Sequence, residues 1–335
     1  IADYDAMHRL TEEIISRAQT PNDAVSAHIV RLHTLMAQNK LDEVIRSGLL
    51  VLKSMGISLP KRPCKQHILR ELLRTKIQLL GKRPDDFLNL PPMTDPAVQA
   101  QVEVMATITS TAYWTLPNLL PIIVLRLLRT FAKYGNTGFS PYIYAGYGMI
   151  LCTLGDIDTG YQYGQGALRL MEQTNDPKYK ARTLFVVNTF VRHWKEHAKS
   201  IAEPLLESYQ NGLAQGDIEF AGHSLMVRGY TRYLLATPLD DLDLDFEKNH
   251  TTLNRIGQVS NLHVACIFHQ AVLNLRNKSS ENSRLVGKIY NETEMITVHE
   301  DANDQTALHH LFFNKVVLSY LFGDYTAAFN ASCKM

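Results

Sequence analysis

Apolar positions recur every three or four residues along most of this chain. Ile68, Leu69, Leu72, Leu73 and Leu80 form one such stripe, and Leu184, Val187, Phe190, Val191 and Trp194 form another. This is the 3.6-residue period of an amphipathic helix rather than the two-residue alternation of a strand. Capping side chains followed at once by proline mark the starts: Thr20-Pro21, Asp95-Pro96, Ser140-Pro141, Asp176-Pro177 and Thr237-Pro238. The capping oxygen takes a free amide of the first turn, and proline has no amide to leave unpaired there. Ser200 with Glu203 reads as a capping box, with Pro204 still in the first turn. No Asn-Gly or Asp-Gly pair joins two alternating runs, so no hairpin is expected. "GYGMILC" admits a strand reading, but it sits in a helical frame.

The pattern also repeats. Tyr144, Tyr147, Gly148, Leu151, Gly155, Asp156, Ile157, Gly160 and Ala167 fall in the aromatic, large, small, turn and small order of a tetratricopeptide unit. Gly148 and Gly160 stand where the two helices of that unit approach most closely. Gly155 stands where the first helix ends with positive φ. The phrase returns as "FGDYTAAF" near the end, as "NKLDEVI" at 39–45, and as "ADYDAM" at the start. These placements suggest that both ends interrupt an array. The expected fold is all-α, a right-handed α-α superhelix of about fourteen to sixteen helices in antiparallel pairs. The boundaries drawn from composition are a first helical block at 1–80, a proline-rich connecting loop at 81–96, a main block at 97–275, and C-terminal repeats at 276–335.

Composition narrows the function classes. The 335 residues are 45% hydrophobic and 20% charged, with formal net charge +1. No global field therefore favours nucleic acid or an anionic membrane. The four cysteines stand singly, which suits reduced thiols and a cytoplasmic setting. The most apolar stretch, "LPNLLPIIVLRLLRTF", carries two prolines and Arg126 and is too short to span a bilayer. One stretch is locally basic: residues 61–83 carry eight Lys/Arg against Glu71 alone. Arg70 and Arg74 share a helix face there, which reads as a solvated face or as a dock for an acidic neighbour. Aromatic residues suited to base stacking are missing.

Candidate chemistry is sparse. "VRHWKEHAK" holds His193, Glu196 and His197, the H-x-x-E-H of inverted zinc peptidases. On one helix the two histidines would lie a turn apart and could share a zinc ion. The stretch around residue 272, "QAVLNLR", supplies no acid as a third ligand. A helix-end role, a partner contact and a metal site all remain open for it. "LDDLDLDFEKNH" places Asp241, Asp243 and Asp245 like a calcium loop, but Phe246 and Thr252 stand where glycine and glutamate are required. A helix start fits those acids better. His299 followed by an acid in "VHEDAND" looks like a phosphoacceptor histidine, without the flanking pattern or nucleotide-binding glycine boxes. No phosphate-binding G-x-x-x-x-G-K-[ST] occurs. No residue is therefore assigned to catalysis, to a cofactor or to a metal. The groove of such an array would be lined by first-helix positions, here Tyr142, Ala145, Met149, Cys152 and Thr153. Tyr142 and Met149 on an exposed groove would suit capture of a peptide, a helix or a small-molecule ligand, and Met149 reads equally well as buried packing.

Three passages carry a resemblance. "VLKSMGISLPKRPCKQHILRELLRTKIQLLGKRPDDFLNLPPMTDP", "KYGNTGFSPYIYAGYGMILCTLGDIDTGYQYGQGALRLME" and "TLFVVNTFVRHWKEHAKSIAEPLLESYQNGLAQGDIEFAGHS" resemble the helical-repeat region of large multidomain signalling proteins. The likeness covers roughly residues 40–275. In that family a Ser/Thr kinase-like domain precedes a signal-transduction ATPase domain of the predicted AAA type. The repeats follow, often with a GAF sensor and a histidine kinase or cyclase after them. The resemblance implies a non-catalytic interaction and regulatory module whose partners are the flanking ATPase and sensor or kinase domains. It also implies catalytic residues elsewhere in the polypeptide. It also makes "HWKEH" a hallmark of the repeats, with His193 and His197 as partner-contact candidates rather than a hydrolase site.

Overall fold

The computed structural model describes residues 4–20, 22–38, 40–276 and 282–335. Pro21 of the first capped start, and Ala2 and Asp3 of the opening repeat phrase, lie outside these. Among the described residues there are sixteen α-helices and no strand, so the all-α expectation holds. Pro92 with Asn136 and Val286 with Asn291 make isolated bridges only. The chain divides into two compact units, Ile1–Tyr179 and Lys180–Met335.

The first unit holds α1 (Tyr4–Arg17), α2 (Val25–Ala37), α3 (Leu41–Ser54), α4 (Lys65–Gln78), α5 (Pro96–Thr115), α6 (Leu119–Tyr134), α7 (Ser140–Thr153) and α8 (Ile157–Thr174). Helix α5 packs on α2, α3 and α6, and α6 packs in turn on α4 and α7. Asp95 starts α5 as its pattern requires: Oδ1 accepts the Ala97 and Val98 amides at 2.9 and 3.2 Å. The Gly148 and Gly160 reading also holds. A Cβ on Gly148 would stand 2.7 Å from the Gly160 carbonyl oxygen, and one on Gly160 would stand 2.5 Å from Cys152 Sγ. Gly155 ends α7 with φ +89°.

Segment 81–96 does not separate two blocks. It belongs to the first unit, and the division falls after Tyr179 instead. Two contacts explain this. Phe87, in a single 3-10 turn over Pro84–Phe87, is buried with its ring centroid 5.5 Å from Tyr144 and 5.8 Å from Tyr163. Asn136 then ties the strap down: its amide side chain donates to Phe87 O at 2.7 Å, and its backbone exchanges hydrogen bonds with Pro91 O and Met93 N, each at 2.8 Å. Prolines open the chain locally, but burial of one aromatic ring stabilises the docked strap by about 2–3 kcal/mol.

The second unit holds α9 (Lys180–Val186), α10 (Ala202–Gln215), α11 (Ile218–Leu234), α12 (Leu239–Arg255), α13 (Val259–Leu275), α14 (Glu292–Asp301), α15 (Gln305–Leu321) and α16 (Tyr325–Ser332). Helices α9, α11, α13 and α15 pack one on the next. Helix α10 covers α9 and α11, α12 covers α11 and α13, and α14 and α16 lie on α15. Leu225, Phe246, Phe268, Val272, Leu311 and Leu318 form part of the buried core between them. The Asp241–Asp245 run is helical: Asp243 pairs with His269 and Arg276, and Asp245 with Arg232.

Three of the sequence-read starts use different groups. Ser140 lies already inside α7, and its hydroxyl accepts the Thr137 amide at 2.9 Å instead of capping onward. Helix α12 begins after Pro238 with no side-chain cap from Thr237. Ser200 donates to Glu196 Oε2 at 3.0 Å, so the Ser200–Glu203 capping box does not form.

Candidate functional site

Helix α4 carries an unusual face. Its apolar stripe splits into two. Ile68 and Leu72 turn inward beside buried Thr75, with Leu79 just past the helix end. Leu69, Leu73, Ile77 and Leu80 turn outward, 57%, 53%, 76% and 86% exposed. At 100° per residue Leu69, Leu73 and Ile77 lie along one ridge. On that helical wheel Lys65 and Lys76 flank the ridge on one side and Arg70 on the other. A leucine ridge left in water costs free energy in proportion to its apolar area, and exposed apolar patches rimmed by charge mark interaction sites.

Two clefts adjoin the segment leading into α4. One, about 260 Å³, is lined by Ser58, Leu59, Pro60, His67, Arg70, Glu71, Arg74, Ile122 and Arg126. The other, about 730 Å³, is lined by Ile45, Leu49, Leu50, Thr115 and Leu116 together with Asp42, Arg46, Lys61 and Arg62. Cations outnumber acids in both. Glu71 is committed inside the fold: it accepts from Arg74 at 2.9 Å and also pairs with Arg129. Arg70 and Arg74, singled out by sequence, therefore meet in one cleft whose carboxylate is already engaged.

The groove residues come out differently. Tyr142 is only 7% exposed, its ring 5.1 Å from that of Phe139, and Ala145 and Cys152 are buried too. Met149 is half-buried and Thr153 exposed. Tyr142 therefore serves packing, and Met149 and Thr153 alone retain surface.

His193, Glu196 and His197 do not share a helix. Helix α9 loosens into a π-helical turn over Val187–Val191, then tightens into a 3-10 turn over Arg192–Trp194. His197 is extended, and its Nδ1 accepts the Lys199 amide at 3.1 Å to start the next short turn. Glu196 is held by Arg192 Nε at 2.9 and 3.0 Å and by the Ser200 hydroxyl. The spacing that would aim two imidazoles at one ion exists only on a continuous helix, and here the glutamate closes a corner between α9 and α10. His193 lies against Trp194, ring centroids 5.1 Å apart, and partial burial holds it below its ordinary value.

The second unit gathers histidines that periodicity did not reveal. His269 Nε2 lies 2.7 Å from Asp243 Oδ1, and its Nδ1 lies 3.4 Å from Nδ1 of His250. Burial pushes both imidazoles down to about 4. His310, against Tyr230 and Phe268, is pushed equally low by burial. His299, read from sequence as a phosphoacceptor lookalike, is buried, with Nε2 2.9 Å from the Tyr290 hydroxyl. Through-space neighbours such as His263 and Asp304 are far apart in sequence, and no local motif announces them.

Among the described residues no helix is long and apolar enough to cross a membrane. No family model matches the chain, and no solved structure matches it. It is similar to hybrid signal transduction histidine kinase G of Dictyostelium discoideum, 22% identical over 256 residues. The match covers 70% of this chain and 7% of that protein, so the chain spans a small fraction of its relative's length. The similarity to a signal-transduction histidine kinase suggests a signalling context.

Proposed function

We propose that the chain is a non-catalytic helical-repeat module of a multidomain signal-transduction protein, and that it docks a neighbouring domain on the α4 face. The exposed ridge of Leu69, Leu73 and Ile77 between cations carries the reading. Its occupant is an amphipathic helix with an apolar stripe and acidic flanks, supplied by an adjoining ATPase or sensor-kinase domain. Leucine against leucine removes apolar area from water, and the acidic flanks meet Lys65, Arg70 and Lys76. Successive packing of α9, α11, α13 and α15, with α10 over the first pair and α12 over the second, supports a tetratricopeptide-like superhelical order in the second unit. Similarity to a hybrid histidine kinase supports the signalling context. A regulatory role follows if the docked domain is active only when released.

The test is co-purification of this chain with the adjoining domains of its own polypeptide. Capture by the unaltered chain, lost in a Leu69→Glu, Leu73→Glu double variant that melts normally, supports the proposal. Equal capture by both chains removes α4 from it. A second reading, a small-molecule sensor, rests on the 730 Å³ cleft, a size suited to a metabolite. Arg46, Lys61 and Arg62 would select an anion, and a thermal-shift screen of anionic metabolites against an Arg62→Ala control separates the two readings. A hydrolase built on His193, Glu196 and His197 finds no support in that corner, where the glutamate is bound to Arg192.

A further inference from the structure

Helices α13, α14 and α15 bring together two imidazoles and a carboxylate that no function above uses. His263 comes from α13, His299 from α14, and Asp304 from the turn that starts α15. Each offers one ligand atom, and these atoms all lie within 4.8 Å of one another. The local sequence explains the convergence. Asn303 adopts a left-handed φ of 51°, and the Asp304 amide donates to His299 O at 2.8 Å. That tight turn folds Asp304 back beside His299. Asp304 Oδ1 caps α15 by accepting the Ala307 amide at 3.0 Å, which leaves Oδ2 available. His299 is 1% exposed, and its Nε2 is engaged by the Tyr290 hydroxyl. An oxygen on one ring nitrogen is the usual device for orienting a metal-binding imidazole.

We propose that His263, His299 and Asp304 bind one divalent first-row transition cation, such as Zn²⁺, which staples α13 to the α14–α15 turn. Two neutral imidazoles and one carboxylate suit such an ion better than calcium or magnesium, which prefer oxygen donors. Tyr290 fixes the His299 ring so that Nδ1 is the coordinating nitrogen. Tetrahedral bonds of about 2.0–2.1 Å need donor atoms about 3.3 Å apart, so the three must close by up to about 1.5 Å. His263 and Asp304 are half-buried and have room to move, whereas His299 is fixed. Their partial exposure also leaves a path for the ion and a fourth position for water.

The test titrates ZnCl2 into the full metal-free chain in competition with a chromophoric chelator. One equivalent should bind and raise the melting temperature. Asp304→Asn keeps the helix cap, because an amide oxygen also accepts the Ala307 N–H, but it loses the charge. That variant and His263→Gln should each weaken binding at least tenfold while melting normally without metal. Tyr290→Phe, which removes only the orienting hydroxyl, should weaken it less and provides a second line if Asp304→Asn folds poorly. The main competitor is on the surface, where Cys64 Sγ lies 3.1 Å from His67 Nδ1. Substituting Co²⁺ separates the two, since a thiolate ligand adds an intense near-ultraviolet band that the His263–His299–Asp304 site lacks. No uptake, uptake unchanged in the Asp304 and His263 variants, or a thiolate band abolished by Cys64→Ser would each overturn the proposal.

Discussion

At the scale of single residues, glycine positions separate steric need from backbone need. Gly160 faces Cys152 Sγ and the Gly148 carbonyl, so Gly160→Ala forces α7 and α8 apart. The expected cost is roughly 1–3 kcal/mol, as for other overpacked sites. Gly155 has open space around a Cβ but a φ of +89°. Gly155→Ala should therefore cost about 1–2 kcal/mol through strain alone, and Gly155→Asn less, because asparagine tolerates the left-handed region. Urea midpoints of the three variants check the order. Sequence alone identified both glycines, since the small and turn positions of a repeat are local properties. It did not separate Tyr142 from Met149, because both occupy the same face of α7 by period. Tertiary packing, with the Phe139 ring 5.1 Å away as one contact, decides that the tyrosine is covered.

At the scale of elements, α4 behaves unlike its neighbours. Its outward leucines contribute little to the fold, so Leu69→Glu and Leu73→Glu should each change stability by no more than roughly 0.5 kcal/mol. A truncation inside the same unit behaves otherwise: Phe87→Ala removes a buried ring and should cost about 3–5 kcal/mol. Thermal melts of the three variants, compared with their capture of the adjoining domains, distinguish a docking face from a structural one. The helical period of 65–80 was plain in the sequence, yet it could not say which leucines are covered. Residues 69 and 72 differ by 60° on the helix, and the position of α6 beside α4 decides which of them is buried. The zinc alternative for H-x-x-E-H loses its geometry for a related reason. Its spacing has chemical meaning only on an unbroken helix, and the π-helical turn over Val187–Val191 breaks the helix before it.

At the scale of the whole molecule, the two units should differ in their response to acid. The histidines pushed down to about 4, His250, His269 and His310, all lie in the second unit. Unfolded histidine titrates near 6.5. Between these values the unfolded chain binds protons that the folded chain refuses, so folding stability falls as pH falls. The loss begins as pH drops through about 6.5 and continues to about 4. Hydrogen exchange at pH 7 and pH 5, with rates corrected for intrinsic chemistry, should show protection lost preferentially in α11–α15. Equal loss in α5–α8 would contradict that assignment.

Helix content, many helix starts, the close approach of α7 to α8 and the local basicity around α4 were all legible in the linear order of residues. Each depends on neighbours within about one helical turn or one tight connection, where spacing maps directly onto geometry. The division after Tyr179, the docking of 81–96 by Phe87 and Asn136, the outward leucines and the meeting of His263, His299 and Asp304 belong to the tertiary structure. Those features join positions tens of residues apart, or depend on which surface another helix happens to cover. No periodicity encodes such distances, and burial and metal-ligating geometry exist only once the helices have packed.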